Sequence, residues 1–170
     1  MASYKDRHMT TSDGITDSDW ESIIISAEEI AELTGREIDA RFAQKKILSQ
    51  LDRLEKKYGR LPTILSTKAD YIDSTDERLS LLKEAYITAD EIQDKKNKVF
   101  ISGSIIEIYL ELPEKKSFAQ YWLEKFESDL KDYPKDEYLL DLHVQFNKKI
   151  NQLNPSNCLL YTSPSPRDYA

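Results

Sequence analysis

The chain has 170 residues, 39% of them hydrophobic and 32% charged, which suits one domain with a buried core and excludes the composition of a disordered chain. Its net charge is −7 and its basic residues are scattered as pairs (Lys45-Lys46, Lys56-Lys57, Lys115-Lys116, Lys148-Lys149), so it lacks the gathered positive face that nucleic-acid binding needs. No apolar run approaches the ~18 residues of a membrane helix and the N-terminus has no signal-peptide core, so the expected location is cytoplasmic.

Four glycines and six prolines supply too few reversals for a sandwich or barrel, so the expected class is all-α, with long helices and short joins. Segment one (about 18–33) carries Trp20, Ile23, Ile24, Ala27, Ile30 and Ala31 at helical spacing. Segment two (36–58) carries Ala40, Ala43, Ile47, Leu51, Leu54 and Tyr58 and stops before Gly59. Segment three (62–72) begins on Pro62, which suits a first helical position because its missing N–H costs nothing there. Segment four (75–93) has Leu79, Leu82, Ala85, Tyr86 and Ala89. Segment six (117–132) shows the clearest stripe, Ala119, Trp122, Leu123, Phe126 and Leu130. Segment seven (136–153) has Leu139, Leu142, Phe146, Ile150 and Leu153, with Asp136 as its N-cap. Reciprocal capping pairs are expected at Ser18…Glu21, Thr34…Glu37, Ser74…Glu77 and Ser117…Gln120.

Segment five (about 96–112) reads two ways. The run from Ile106 to Leu112 alternates as a half-buried, β-branched strand would. Yet Ile101, Ile105, Ile108 and Leu112 also form a helical stripe, with Val99, Ser102, Ile106 and Tyr109 beside it. A helix apolar on two stripes is one buried between neighbours.

The two ends differ from the middle. The stretch CLLYTSPSPRD (158–168) holds the lone cysteine and resembles the translation of a transposase adapter used in sequencing libraries. Residues 155–170 are therefore expected to be a non-native, disordered tail on a C-terminally truncated chain. Residues 1–15 are expected to be disordered, with Met9 an alternative start.

Candidates for chemistry are few. His8 lies in the polar N-terminus, and His143 sits beside Leu142 and Phe146 with no second histidine or cysteine to join it. Asp70, Asp73 and Asp76 lack the tight alternation and glycine bend of an oxygen-ligated metal loop, and Ser74 and Glu77 explain that region as a helix start. Trp122 and Phe126 share a core stripe, and the Glu107/Glu111 pair suits a solvated helix face. No phosphate-binding glycine loop or nucleophile motif is present. The expectation is no catalysis, no metal and no cofactor.

From Leu79 to Leu130 the sequence resembles tetratricopeptide repeats. LLKEAYITADEIQD is similar to the second helix of one repeat, SIIEIYLEL to the first helix of the next, and FAQYWLEKFESDL to its second helix, with Ala85, Ala89 and Ala119 at close-approach positions. Ile106 stands where that family usually has glycine, Phe126 where it has alanine, and the closing proline comes late, at Pro134. The resemblance implies that segment five is a helix. It also implies a short right-handed solenoid of about seven helices in stacked antiparallel hairpins, spanning 16–154.

The same resemblance implies protein or peptide binding in a groove lined by first helices. By Tyr109 that groove would show Gly103, Ser104, Glu107 and Glu111, and by Tyr71 it would show Leu65, Ser66, Ala69 and Asp73. These acid, hydroxyl and apolar groups suit a basic or amphipathic helical partner better than a terminal carboxylate. The expected role is a bacterial-type adaptor or regulator. Other readings stay open: an immunity protein neutralising a toxin, a sensor fragment of a longer transcriptional regulator, or a carboxylate-based enzyme.

Overall fold

The computed structural model describes residues 11–153; His8, Met9 and the tail at 155–170 with its adapter-like stretch lie outside them. Seven α-helices and no strand occur among the described residues: α1 (Asp17–Gly35), α2 (Arg41–Tyr58), α3 (Pro62–Asp70), α4 (Thr75–Glu91), α5 (Lys95–Leu110), α6 (Lys116–Leu130) and α7 (Glu137–Gln152). A 3₁₀ turn, Pro113–Lys115, leads into α6. Consecutive helices pair as hairpins, α1 with α2, α3 with α4 and α5 with α6, while α7 covers α5 and α6. Of the described part of the expected N-terminal tail, Ile15 is fully buried and Ser12 bonds to Asp94 at 2.8 Å, so packing begins before α1.

The helix starts show which capping signals operate. Ser74 Oγ accepts from Glu77 N at 3.3 Å and Asp136 Oδ1 accepts from Leu139 N at 3.0 Å, as their residue types favour. Pro62 opens α3. The cap of α3 comes from far away in sequence: Asp13 Oδ2 accepts from Thr63 N at 2.7 Å. Three expected capping pairs do not form. α1 is entered through Thr16 instead of Ser18, and α6 grows out of the 3₁₀ turn with no side-chain cap at Lys115. Thr34 and Glu37 lie at the end of α1, where Ile38 N bonds to Leu33 O and Glu37 N to Thr34 O around a left-handed Glu37 (φ 57°). That arrangement is a Schellman stop, so α2 begins only at Arg41. The end of α4 repeats it around Gln93 (φ 58°), with Asp94 N bonded to Ala89 O, and Asp94 then caps α5 through Asn97 N.

Segment five is a helix. Val99, Ile101, Ser102, Gly103, Ile105, Ile106, Ile108 and Tyr109 are all buried, so the strand-like alternation is the sequence trace of a helix wrapped by α3, α4, α6 and α7. Burying one isoleucine is worth about 1.5–3 kcal/mol, so such a helix gains from every neighbour it acquires.

Two hydrophobic cores result. One gathers Ile15 with Ile23 and Ile30 of α1, Ile47 and Leu51 of α2, and Ile64 of α3. The other runs from Leu65 of α3 to Ile150 of α7. Adjacent residues of the short α3 thus serve different cores. Arg60 reinforces this junction, reaching Glu55 at 2.5 Å and gripping Glu84 with two nitrogens at 2.5 and 2.8 Å. Lys68 bonds to Asp52 at 2.7 Å and to Glu55. Burial alone would raise the Glu55 pKa, but the hydrogen bonds from Lys68 and Arg60 overcome it and hold the carboxyl below its usual range.

Two predictions arise from this packing. A Cβ added at Gly103 would meet Phe126 at 3.6 Å and Phe146 at 3.9 Å, which is ordinary contact. Gly103→Ala is therefore expected to stabilise by about 0.5–1 kcal/mol through helix propensity, read as a higher urea midpoint at unchanged m. The second concerns Asp19, whose pKa is lowered from 3.8 to about 2 by hydrogen bonds from Lys57 and then Tyr58. Its stabilisation is fully present above the unfolded value and is lost as pH falls through about 2. With solvent screening, Asp19→Asn should cost about 1 kcal/mol at neutral pH. That cost should shrink as pH falls from about 4 and vanish only below pH 2 in paired melts.

Candidate functional site

A cleft lies between the outward faces of α4 and α6. Both helices lean on α5 through small or slender residues, Leu82, Ala85 and Ala89 from α4 and Ala119 and Leu123 from α6. Close approach at those positions leaves the larger side chains on the adjoining faces to meet each other above α5. From α4 come Lys83, Tyr86, Ile87, Asp90 and Glu91; from α6 come Ser117, Phe118, Tyr121, Trp122 and Lys125. These residues recur every three or four positions, so each helix contributes one continuous wall. The space enclosed is about 840 Å³. A shallower extension of about 420 Å³ shares Tyr86, Asp90, Tyr121 and Lys125 and runs on towards Lys98 and Asp129.

The floor is the edge-to-face pair Tyr86–Trp122, with ring centroids 5.1 Å apart. Trp122, expected in the core, is only 6% exposed, whereas Ile87, Phe118 and Tyr121 are 58, 50 and 53% exposed. The Tyr86 hydroxyl donates to the buried Asp129 Oδ2 at 2.9 Å, and Lys98 Nζ lies 3.4 Å from the other oxygen. Burial, followed by that hydrogen bond to a carboxylate, raises the Tyr86 pKa well above the ordinary phenol value. Tyr86 is thus a fixed donor rather than a titrating group.

Two ammonium groups flank the floor. Lys125 Nζ lies over the rings of Tyr121, Tyr86 and Trp122, 5.1, 5.6 and 5.9 Å from their centroids. Lys83 Nζ lies 5.5 Å from the ring centre of Tyr109, which itself stacks on Phe118 at 5.3 Å. Neither makes an ion pair with a carboxylate among the described residues. Asp90, the acid nearest in function to Lys125, is engaged by Lys98 at 2.7 Å. That hydrogen bond is the main cause of its lowered pKa, with Lys125 adding a smaller long-range effect.

The residues expected from the sequence to line a binding groove are distributed differently. Leu65 and Ala69 are fully buried in the core and Gly103 is buried, so none offers a surface for recognition. Ser66 and Ser104 turn their hydroxyls onto Thr63 O and Phe100 O within their own helices. Asp73, Glu107 and Glu111 are exposed. Gly103, Ser104 and Glu107 border a depression of only about 50 Å³ between α5 and α7, beside Phe100 and Tyr138. The α3 residues do not join it. Asp70 does feel Glu107: surrounding protein raises its pKa, Arg78 opposes this, and the Glu107 charge adds to the rise. His143 bonds to Glu127 at 2.8 Å and to Asn147 at 2.9 Å. Among the described residues no three His, Cys, Asp or Glu side chains form a group that could hold a metal.

The cleft residues carry a sequence signal of their own. Phe118 and Tyr121 stand one position off the core stripe of segment six, and Tyr86 lies on the stripe of segment four. Geometry defines a class of all-helical domain with an open aromatic trough. Comparison of the chain with protein-family models, curated proteins and solved structures gives no match.

Tyr86→Phe should keep the aromatic floor and remove one partner of the buried Asp129. The expected cost is about 1–2 kcal/mol in a denaturant titration. A cost near zero would mean that Lys98 alone satisfies that carboxylate.

Proposed function

We propose that this protein is a tetratricopeptide-like helical module, a short solenoid whose task is to hold a peptide segment of another protein, as an adaptor or regulator does. The observation that carries the reading is the cleft between α4 and α6. Its two walls are helix faces, its floor is aromatic, and its open shape of about 840 Å³ suits an extended guest more than an enclosed small molecule. An amphipathic helix laid along such a trough would sit as a third helix, its apolar side chains against Tyr86, Ile87, Phe118 and Tyr121. Rigid aromatic side chains give much contact area for little lost rotamer freedom. The exposed acids of α3 and α5, with Asp70 already sensing Glu107, form a second surface suited to a basic segment of the same partner.

Selection from a displayed random-peptide library against the full chain tests this. Enriched peptides should carry apolar residues at i, i+3/i+4 and i+7 and bind with micromolar affinity. Phe118→Ala combined with Tyr121→Ala, both at half-exposed positions, should weaken them at least tenfold while lowering the melting temperature by several degrees and leaving the helical signal unchanged at the assay temperature. Peptides that bind this double variant as well as the parent would remove the cleft from the proposal. A library that yields no binder would remove the peptide-binding reading itself.

A further inference from the structure

The cleft is less acidic than the chain as a whole: its lining sets Lys83 and Lys125 against Asp90 and Glu91, and Asp90 is already engaged by Lys98. The whole sequence carries −7, yet the two lysines that flank the aromatic floor have only rings for partners. Lys46, Lys57, Lys68, Lys95 and Lys98, by contrast, each hold a carboxylate within 2.8 Å. An ammonium against aromatic faces is held by their quadrupoles and is partly stripped of water, which leaves its charge available to an incoming anion.

The spacing is set by the helices. Lys83 and Asp90 are seven residues apart on α4, so their positions differ by about 10 Å along the axis. Lys125 lines the same depression as Asp90, and Lys83 marks the other end beside Tyr109 and Phe118. Two cations about two helical turns apart, with apolar surface between them, form a linear pattern. Its complement is one helix carrying carboxylates at i and i+7 and apolar side chains at i+3 and i+4.

Resting on the peptide-binding reading, we propose that the occupant of the cleft is an acidic amphipathic helix of a partner protein, held at its ends by Lys83 and Lys125. The assignment goes against the basic partner that the chain's net charge would suggest. It places recognition on the second helices of the hairpins, with Lys125 leaving its three rings to meet the incoming carboxylate. The vacated rings then receive the apolar residue that follows.

Three stapled helical peptides test it, built on the apolar anchors of a selected binder and differing only in the two positions seven apart: Glu/Glu, Gln/Gln or Lys/Lys. Fluorescence anisotropy with the full chain should show the Glu/Glu peptide binding about tenfold more tightly than Gln/Gln, an advantage that fades in high salt. With the Lys83→Gln/Lys125→Gln variant, which keeps side-chain bulk, the three affinities should converge. With Lys83→Glu, at the end away from the Trp122 packing, the preference for Glu/Glu over Lys/Lys should be lost, since each peptide then has one matched and one mismatched end. Equal affinities on the parent chain, still abolished by Phe118→Ala/Tyr121→Ala, would overturn the acidic partner and leave peptide binding standing. Tightest binding by Lys/Lys would overturn it in favour of a cationic guest that displaces Lys125. Binding of all three that ignores both lysine and aromatic variants would overturn the cleft and the acidic partner together.

Discussion

The structure depends on α5 being apolar around most of its circumference. A helix with two buried stripes cannot be satisfied by its own hairpin partner, because α6 covers one side only. The second side must be covered by the preceding hairpin, and α4 with α3 provides that cover. Once α4 and α6 both lean on α5, they stand side by side and their third faces converge. The cleft is therefore a consequence of burying α5, and the small residues Ala85, Ala89 and Ala119 decide how near its walls stand. A bulkier residue at any of them would push one wall outwards and change the groove before it changed the fold.

The same logic explains why the N-terminal hairpin is attached in another way. α1 and α2 close their own core around Ile47 and Leu51, and they share with the rest only the Ile64 side of α3. Such a narrow apolar bridge would leave the hairpin free to pivot, and polar groups take up the work. Asp13 caps α3, Ser12 reaches Asp94, and Asn97 donates to Ser12 at 3.2 Å. Arg60 ties the α2–α3 join to Glu84. Hydrogen bonds are directional where apolar contact is not, so this seam fixes an angle that hydrophobic burial alone would leave soft.

Most of the helices were legible because their signals are local. The apolar period of α2, α4, α6 and α7, the prolyl start of α3 and the caps Ser74 and Asp136 all act within a few residues. The failures have a common cause. Thr34 and Glu37 have the residue types of a helix start but stand at a helix end, since a left-handed residue at 37 satisfies the last carbonyls of α1. Asp13 acts as a cap only because the chain returns to it fifty residues later. The site was harder still. Transferring a groove from first helices named Leu65, Ala69 and Gly103, which the packing of α3 and α5 removes from the surface. Tyr86 stood in the sequence only as one member of a core stripe, and Phe118 and Tyr121 drew no attention because a lone exposed aromatic carries little signal; only their convergence across two helices is informative.

Net charge misleads about partners for a related reason. A total of −7 describes the field far from the molecule, where it governs encounter, and says little about the last few ångströms. There the sign is set by which charges lack an ionic partner. In the cleft Asp90 is engaged by Lys98 and Asp129 by Tyr86 and Lys98, which leaves Lys83 and Lys125, facing only rings, against the single carboxylate of Glu91. An acidic helix approaching this protein would therefore be repelled by the molecule as a whole and held by the groove. If the cleft takes an acidic helix, that combination would slow association and favour peptides whose carboxylates meet the two lysines.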